Sequence, residues 1–119
     1  MGYIFDIDDE TVWSPSLWVG QLYVNLAEAI ARTLELPTGL EAVAEDMYDI
    51  NPPVFSEFTS ALVKHYFSTR HVVAQELLRG VLLTSLVMLQ RGGVEIAPDG
   101  EEQTSFWSSL PEFAQRMPT

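Results

Sequence analysis

Val72–Arg91, VVAQELLRGVLLTSLVMLQR, is long enough for a substantial helix and runs into Gly92-Gly93. Glycine is the residue type that most often stands just past a helix C-terminus. At about 100° per residue, Gln75, Glu76 and Arg79 share one face of the first half. In the second half Leu83, Leu86 and Val87 come round to that same face, so the far end is apolar nearly all round. A helix apolar all round must be buried, and the rest of the chain has to supply the cover.

The chain has 119 residues, 47% of them hydrophobic and 19% charged, which is the size of one domain and too apolar for disorder. It contains no cysteine, so disulfides and thiolate chemistry are excluded. The start, MGYIFDIDDE, lacks the basic and apolar regions of a secretory signal. Gly2 does not make a myristoylation site, because that pattern wants Ser or Thr where Asp6 stands. The charge-free part of the central helix, Gly80 to Gln90, falls short of the ~20 residues that span a bilayer. A cytoplasmic protein with no membrane association is the expectation. Seventeen acids against six bases give a net charge of −11, with Lys64 the only lysine. Nucleic acid is a poor partner for such a surface, and a cationic peptide or protein a suitable one. Acidity also serves simply to keep a small apolar protein soluble.

Outward from the central helix, Asn51-Pro52-Pro53 is a start signal, and Val54, Phe55, Phe58, Ala61, Leu62 and Tyr66 make the apolar face of the helix it begins. Ser68-Thr69 separates or kinks that helix from the central one. Ser14 and Pro15 read as N-cap and first residue of an earlier helix running to about Glu35. On it Trp18, Val19, Leu22, Tyr23, Leu26, Ile30 and Leu34 share the face expected to be buried. Leu40 to Ile50, acid-rich with few apolar residues, reads as a turn or two of helix and then loop. Tyr3 to Asp9 alternates and reads as a short strand or extended arm, and Gly93 to Ala97 as a weak second strand. Phe106, Trp107, Leu110 and Phe113 cluster around a short helix begun at Ser109-Leu110-Pro111. The expected fold is mainly α: three main helices with one or two short strands, in a single α-helical domain over 1–119. Its parts are an extended arm (1–13), a helical core (14–92) and a C-terminal strand and tail (93–119). Either the tail cluster within one chain or a twofold partner can then cover Leu83, Leu86 and Val87, and the commonness of twofold dimers favours the partner, a helical homodimer.

Few constellations carry chemistry. Asp6 to Glu10 suggests a calcium loop, but Thr11 and Leu17 stand where such a loop needs glycine and a bidentate acid. His65 falls in the arc of Val54, Phe58 and Leu62, where a histidine is expected to be a satisfied core residue. His65 and His71 do not share a helix face, and no metal motif or cofactor-binding loop is present, so neither metal nor cofactor is expected. Thr69-Arg70-His71 stands at a helix junction, where Arg70 and His71 could anchor a ligand carboxylate or only cap the helix. Trp13, Tyr23 and Tyr66 are aromatic candidates for stacking on an apolar ligand, with packing in the core as the alternative.

The run Thr11-Val12-Trp13-Ser14-Pro15-Ser16, then Leu36-Pro37-Thr38-Gly39, Ile50-Asn51-Pro52-Pro53-Val54-Phe55, and finally His65 with Thr69-Arg70-His71 resembles a small actinobacterial family of mostly unassigned function. Asn51 stands where that pattern has Asp. In size and acidity the chain also resembles the lysinoalanine-forming proteins of duramycin and cinnamycin biosynthesis. That resemblance implies lantibiotic (lanthipeptide) biosynthesis: a cofactor-free enzyme that acts on a thioether-bridged, cationic precursor peptide. A substrate lysine amine adds to a dehydroalanine, and the protein acts mainly by positioning the peptide. The alternative from another class is a non-enzymatic binding or immunity protein for a cationic peptide.

Overall fold

Two hairpins that sequence periodicity does not announce set the architecture. In the computed structural model, which describes residues 2–119, β1 (Ile4–Ile7) and β2 (Glu10–Trp13) pair antiparallel across Asp8-Asp9. Both aspartates have positive φ, 50° and 66°, the backbone that a two-residue hairpin turn requires and that Asp tolerates. β3 (Leu40–Ala44) and β4 (Met47–Ile50) form the second antiparallel hairpin, and β4 lies parallel to β1. The result is a mixed four-stranded sheet in the order β2-β1-β4-β3. It is accompanied by α1 (Leu17–Leu34), α2 (Pro52–Ser68), α3 (Val72–Arg91), α4 (Gly100–Trp107) and α5 (Leu110–Ala114).

The fold is therefore α/β and not mainly α, and the expectation of three helices with one or two strands is corrected on three points. Leu40 to Ile50 is a hairpin and not helix: after Leu40 every β3 residue faces water, so acids there break no burial pattern. Gly93 to Ala97 forms no strand. The first helix starts later than Ser14-Pro15 suggests, because the Pro15 carbonyl accepts a hydrogen bond from the Tyr3 N–H at 3.0 Å. Ser16 is its N-cap instead.

Elsewhere local signals act as written. Asn51 Oδ1 accepts from the Val54 N–H at 3.3 Å, capping α2 with its prolines in the first turn. α3 has the bounds its sequence suggests, and Val81 to Leu89 is an unbroken buried run. By length and composition alone α3 could cross a membrane. Here its second half is instead the centre of a compact globular fold, packed against α2, α5 and β2. Leu83, Leu86 and Val87 are 2%, 2% and 1% exposed within the single chain, so the homodimer expected through them has no surface to use. The tail is held across this core. Arg91 Nη1 donates to the Val12 carbonyl and Nη2 to that of Ala114, each at 2.9 Å, and the Ser14 N–H donates to the Pro118 carbonyl at 2.7 Å.

The largest departure lies in α1. Its buried face is Gly20, Tyr23, Val24, Ala27 and Ala31, which are mostly small residues. Gly20 lies so close to the Tyr3 ring that a Cβ there would sit 2.5 Å from it. The stripe expected to be core faces outward: Trp18 is 71% exposed, Leu26 45% and Leu22 41%, while Ile30 and Leu34 are half-buried. Only Tyr23 of that stripe is fully inside.

Candidate functional site

α1 and the first half of α3 cross with little direct contact, and the gap between them is an open apolar groove of about 470 Å³. Val19, Leu22 and Leu26 line it from α1, Leu77, Gly80 and Val81 from α3, and Phe113 and Met117 from the tail. Its polar groups are Glu76, Thr84 and Arg116. The volume falls in the range of small-ligand sites, enough for two or three large side chains of a peptide. Arg116 and Phe113 also line a second cavity with Arg79, Leu83, Ser109 and Glu112, so the two spaces adjoin at these two residues. A third cavity, of about 310 Å³, lies further along the same two helices between Ile30, Leu34, Ala74 and Leu78, and Leu77 borders both.

The inner wall of the groove is rigid. Trp13 stacks on Phe5 at 5.2 Å between ring centroids and meets Tyr23 edge-on at 5.5 Å. The Tyr23 hydroxyl is hydrogen-bonded to Ser85 Oγ at 2.7 Å inside the protein. Burial pushes the Tyr23 phenol well above its ordinary pKa, and the Ser85 hydrogen bond offsets this only in part. Tyr23 is consequently a fixed neutral group at physiological pH.

Of the five candidate binding residues, the structure brings together two, Trp13 and Tyr23, and both present little surface at the groove wall. Tyr66 belongs to a separate aromatic cluster with Phe67 and Phe106, at 4.9 and 5.1 Å, beside a different cavity of about 310 Å³. Arg70 and His71 stand exposed at the α2–α3 junction, outside the groove. The His71 N–H donates to Thr69 Oγ1 at 3.2 Å, a capping contact. His65 is exposed rather than core, and it borders the third cavity. Leu77, Gly80 and Arg116 were missed by sequence reasoning. For Gly80 a signal existed: a glycine in mid-helix costs about 0.5–1 kcal/mol relative to alanine and calls for a reason. Among the described residues no three His, Asp or Glu side chains are grouped to share a metal ion.

The groove geometry names no chemistry by itself, but the whole chain, residues 1–119, matches one family. The protein belongs to DUF6086, a family of unknown function. No curated protein and no solved structure matches the chain. Membership of DUF6086 thus places the groove in a family without assigning it a ligand.

Proposed function

We propose that the protein is a cytoplasmic peptide-binding protein whose α1/α3 groove takes the apolar side chains of a cationic peptide segment. Gly80 carries this reading. Its helical counterpart Gly20 has a packing reason in the Tyr3 ring, whereas a Cβ on Gly80 would meet no atom within 4 Å. Nothing inside the chain requires the missing side chain. A guest lying over α3 does, because the glycine keeps the groove open at its centre. Glu76 offers a carboxylate to an ammonium group, Arg116 offers its fork to a carboxylate, and the net charge of −11 favours approach of a cationic guest.

The finer proposal, which rests on the sequence resemblance, is that the guest is a thioether-bridged lanthipeptide precursor and that holding it promotes lysinoalanine formation. In that reaction the lysine nitrogen bonds to the β-carbon of dehydroalanine, the amine loses a proton and the α-carbon gains one. Neutral, pinned Tyr23 is unsuited to take the amine proton, so the reading assigns the protein positioning and the peptide's own carboxylate the role of base. The binding or immunity protein is the same groove without turnover.

Calorimetric titration with a bridged, lysine-containing precursor peptide tests the binding, with Gly80→Leu as the blocked control. Binding that Gly80→Leu leaves unchanged refutes the groove as the site. Loss of thiol-reactive dehydroalanine under substoichiometric protein distinguishes the crosslinking enzyme from the binder.

A further inference from the structure

The exposed side of α1 and α3 is larger than the groove between them. Trp18, Leu22 and Leu26 repeat every turn along α1, and Val73, Leu77 and Gly80 do the same along α3. Leu22 is 41% exposed, Leu26 45%, Val73 58% and Leu77 72%, with Val19 beside them at 40%, whereas Trp18, 71% exposed, lines a separate cavity with Tyr3, Leu17, Glu45 and Asp46. The first five leave on the order of 400 Å² of apolar surface open, within the roughly 300–600 Å² of a monomer's largest patch. It is also close to the apolar share, somewhat over half, of the roughly 800 Å² that each partner contributes to a stable interface. A segment inserted into a groove of about 470 Å³ covers only part of this face.

We infer that the face formed by Leu22 and Leu26 of α1 with Val73 and Leu77 of α3 is covered by a second copy of this chain, related by a twofold axis. Two observations favour a copy over another partner. The open apolar area matches the apolar share of a standard interface, and a twofold interface needs only one self-complementary patch. The charged groups lining the groove beneath it are one acid and one base, Glu76 and Arg116, so apposing two copies concentrates no like charge there despite the overall −11. The copy also completes the site: its helices form the outer wall that the groove lacks in one chain. The adjoining cavity at Arg116 remains as the way in. This last step rests on the groove being the ligand site, whereas the dimer itself does not.

Sedimentation velocity on the full chain, at micromolar concentration and without peptide, tests the inference. The expected result is a dimer for the wild type and monomers for Leu77→Glu and Leu26→Glu, with unchanged circular dichroism because both residues are surface-exposed in the single chain. A wild-type monomer overturns the inference, as does a monomer that associates only when peptide is added. A dimer that survives both substitutions overturns this face as the interface. Failure of Gly80→Leu to block peptide binding, with the dimer intact, removes the proposed ligand and leaves the dimer standing.

Discussion

Gly80 and Gly20 should respond to the same substitution with opposite signs. Both are helical glycines, and replacing either by alanine recovers about 0.5–1 kcal/mol of helix propensity and unfolded-state entropy. At Gly80 the new Cβ meets nothing within 4 Å, so that gain is undiminished. For a chain of 119 residues it corresponds to a rise in Tm of roughly 2–5 °C. At Gly20 the Cβ would sit 2.5 Å from the Tyr3 ring, which is itself buried and hydrogen-bonded through its hydroxyl to Gln21. Overpacking of that kind costs about 1–3 kcal/mol, so Gly20→Ala should lower Tm in spite of its better propensity. Gly80→Leu extends the test to function, since its side chain projects into the groove and should weaken peptide binding at least tenfold, about 1.4 kcal/mol, while the fold gains stability. Thermal melts and calorimetric titration on the three variants read all of this. A destabilised Gly80→Ala would mean that the space over α3 is filled within one chain, and the argument from the glycine would fail.

Further expectations rest on single contacts. Tyr23→Phe removes the 2.7 Å hydrogen bond to buried Ser85 and should cost about 1–2 kcal/mol in a chemical denaturation; no change would mean that Ser85 is satisfied elsewhere. Tyr23 titrates higher in the folded than in the unfolded chain, whose value is near 10.0, so its contribution is constant below about pH 10 and stability falls as pH rises beyond that. Spectrophotometric titration should find one tyrosine that ionises only as the fold is lost, and Tyr23→Phe should remove that phase. Gly92→Ala would place a Cβ 2.6 Å from fully buried Ile7, so a loss of about 1–3 kcal/mol is expected, and an unchanged melt would show that β1 and the end of α3 can separate freely. Asn51→Ala should cost about 1 kcal/mol through loss of the α2 cap, read by the same melts.

What the sequence determined by itself is whatever short-range chemistry specifies. Asn51 with two prolines starts α2, Gly92-Gly93 stops α3, alternation marks β1, and Ser109-Leu110-Pro111 opens α5. The all-round apolar second half of α3 also required burial, and the structure buries it. Tertiary structure decided the rest. β3 and β4 are strands because backbone groups pair across a hairpin and onto β1, a demand that leaves no apolar period when the residues face water. The candidate site depended on a choice no periodicity encodes. The α1 pattern shows that Trp18, Leu22 and Leu26 share a face, but not whether that face turns inward. Close approach of the helix to Tyr3 needs Gly20, and with it Ala27 and Ala31, against the core, so the small residues went in, Trp18 was left exposed, and Leu22 and Leu26 were left lining a groove.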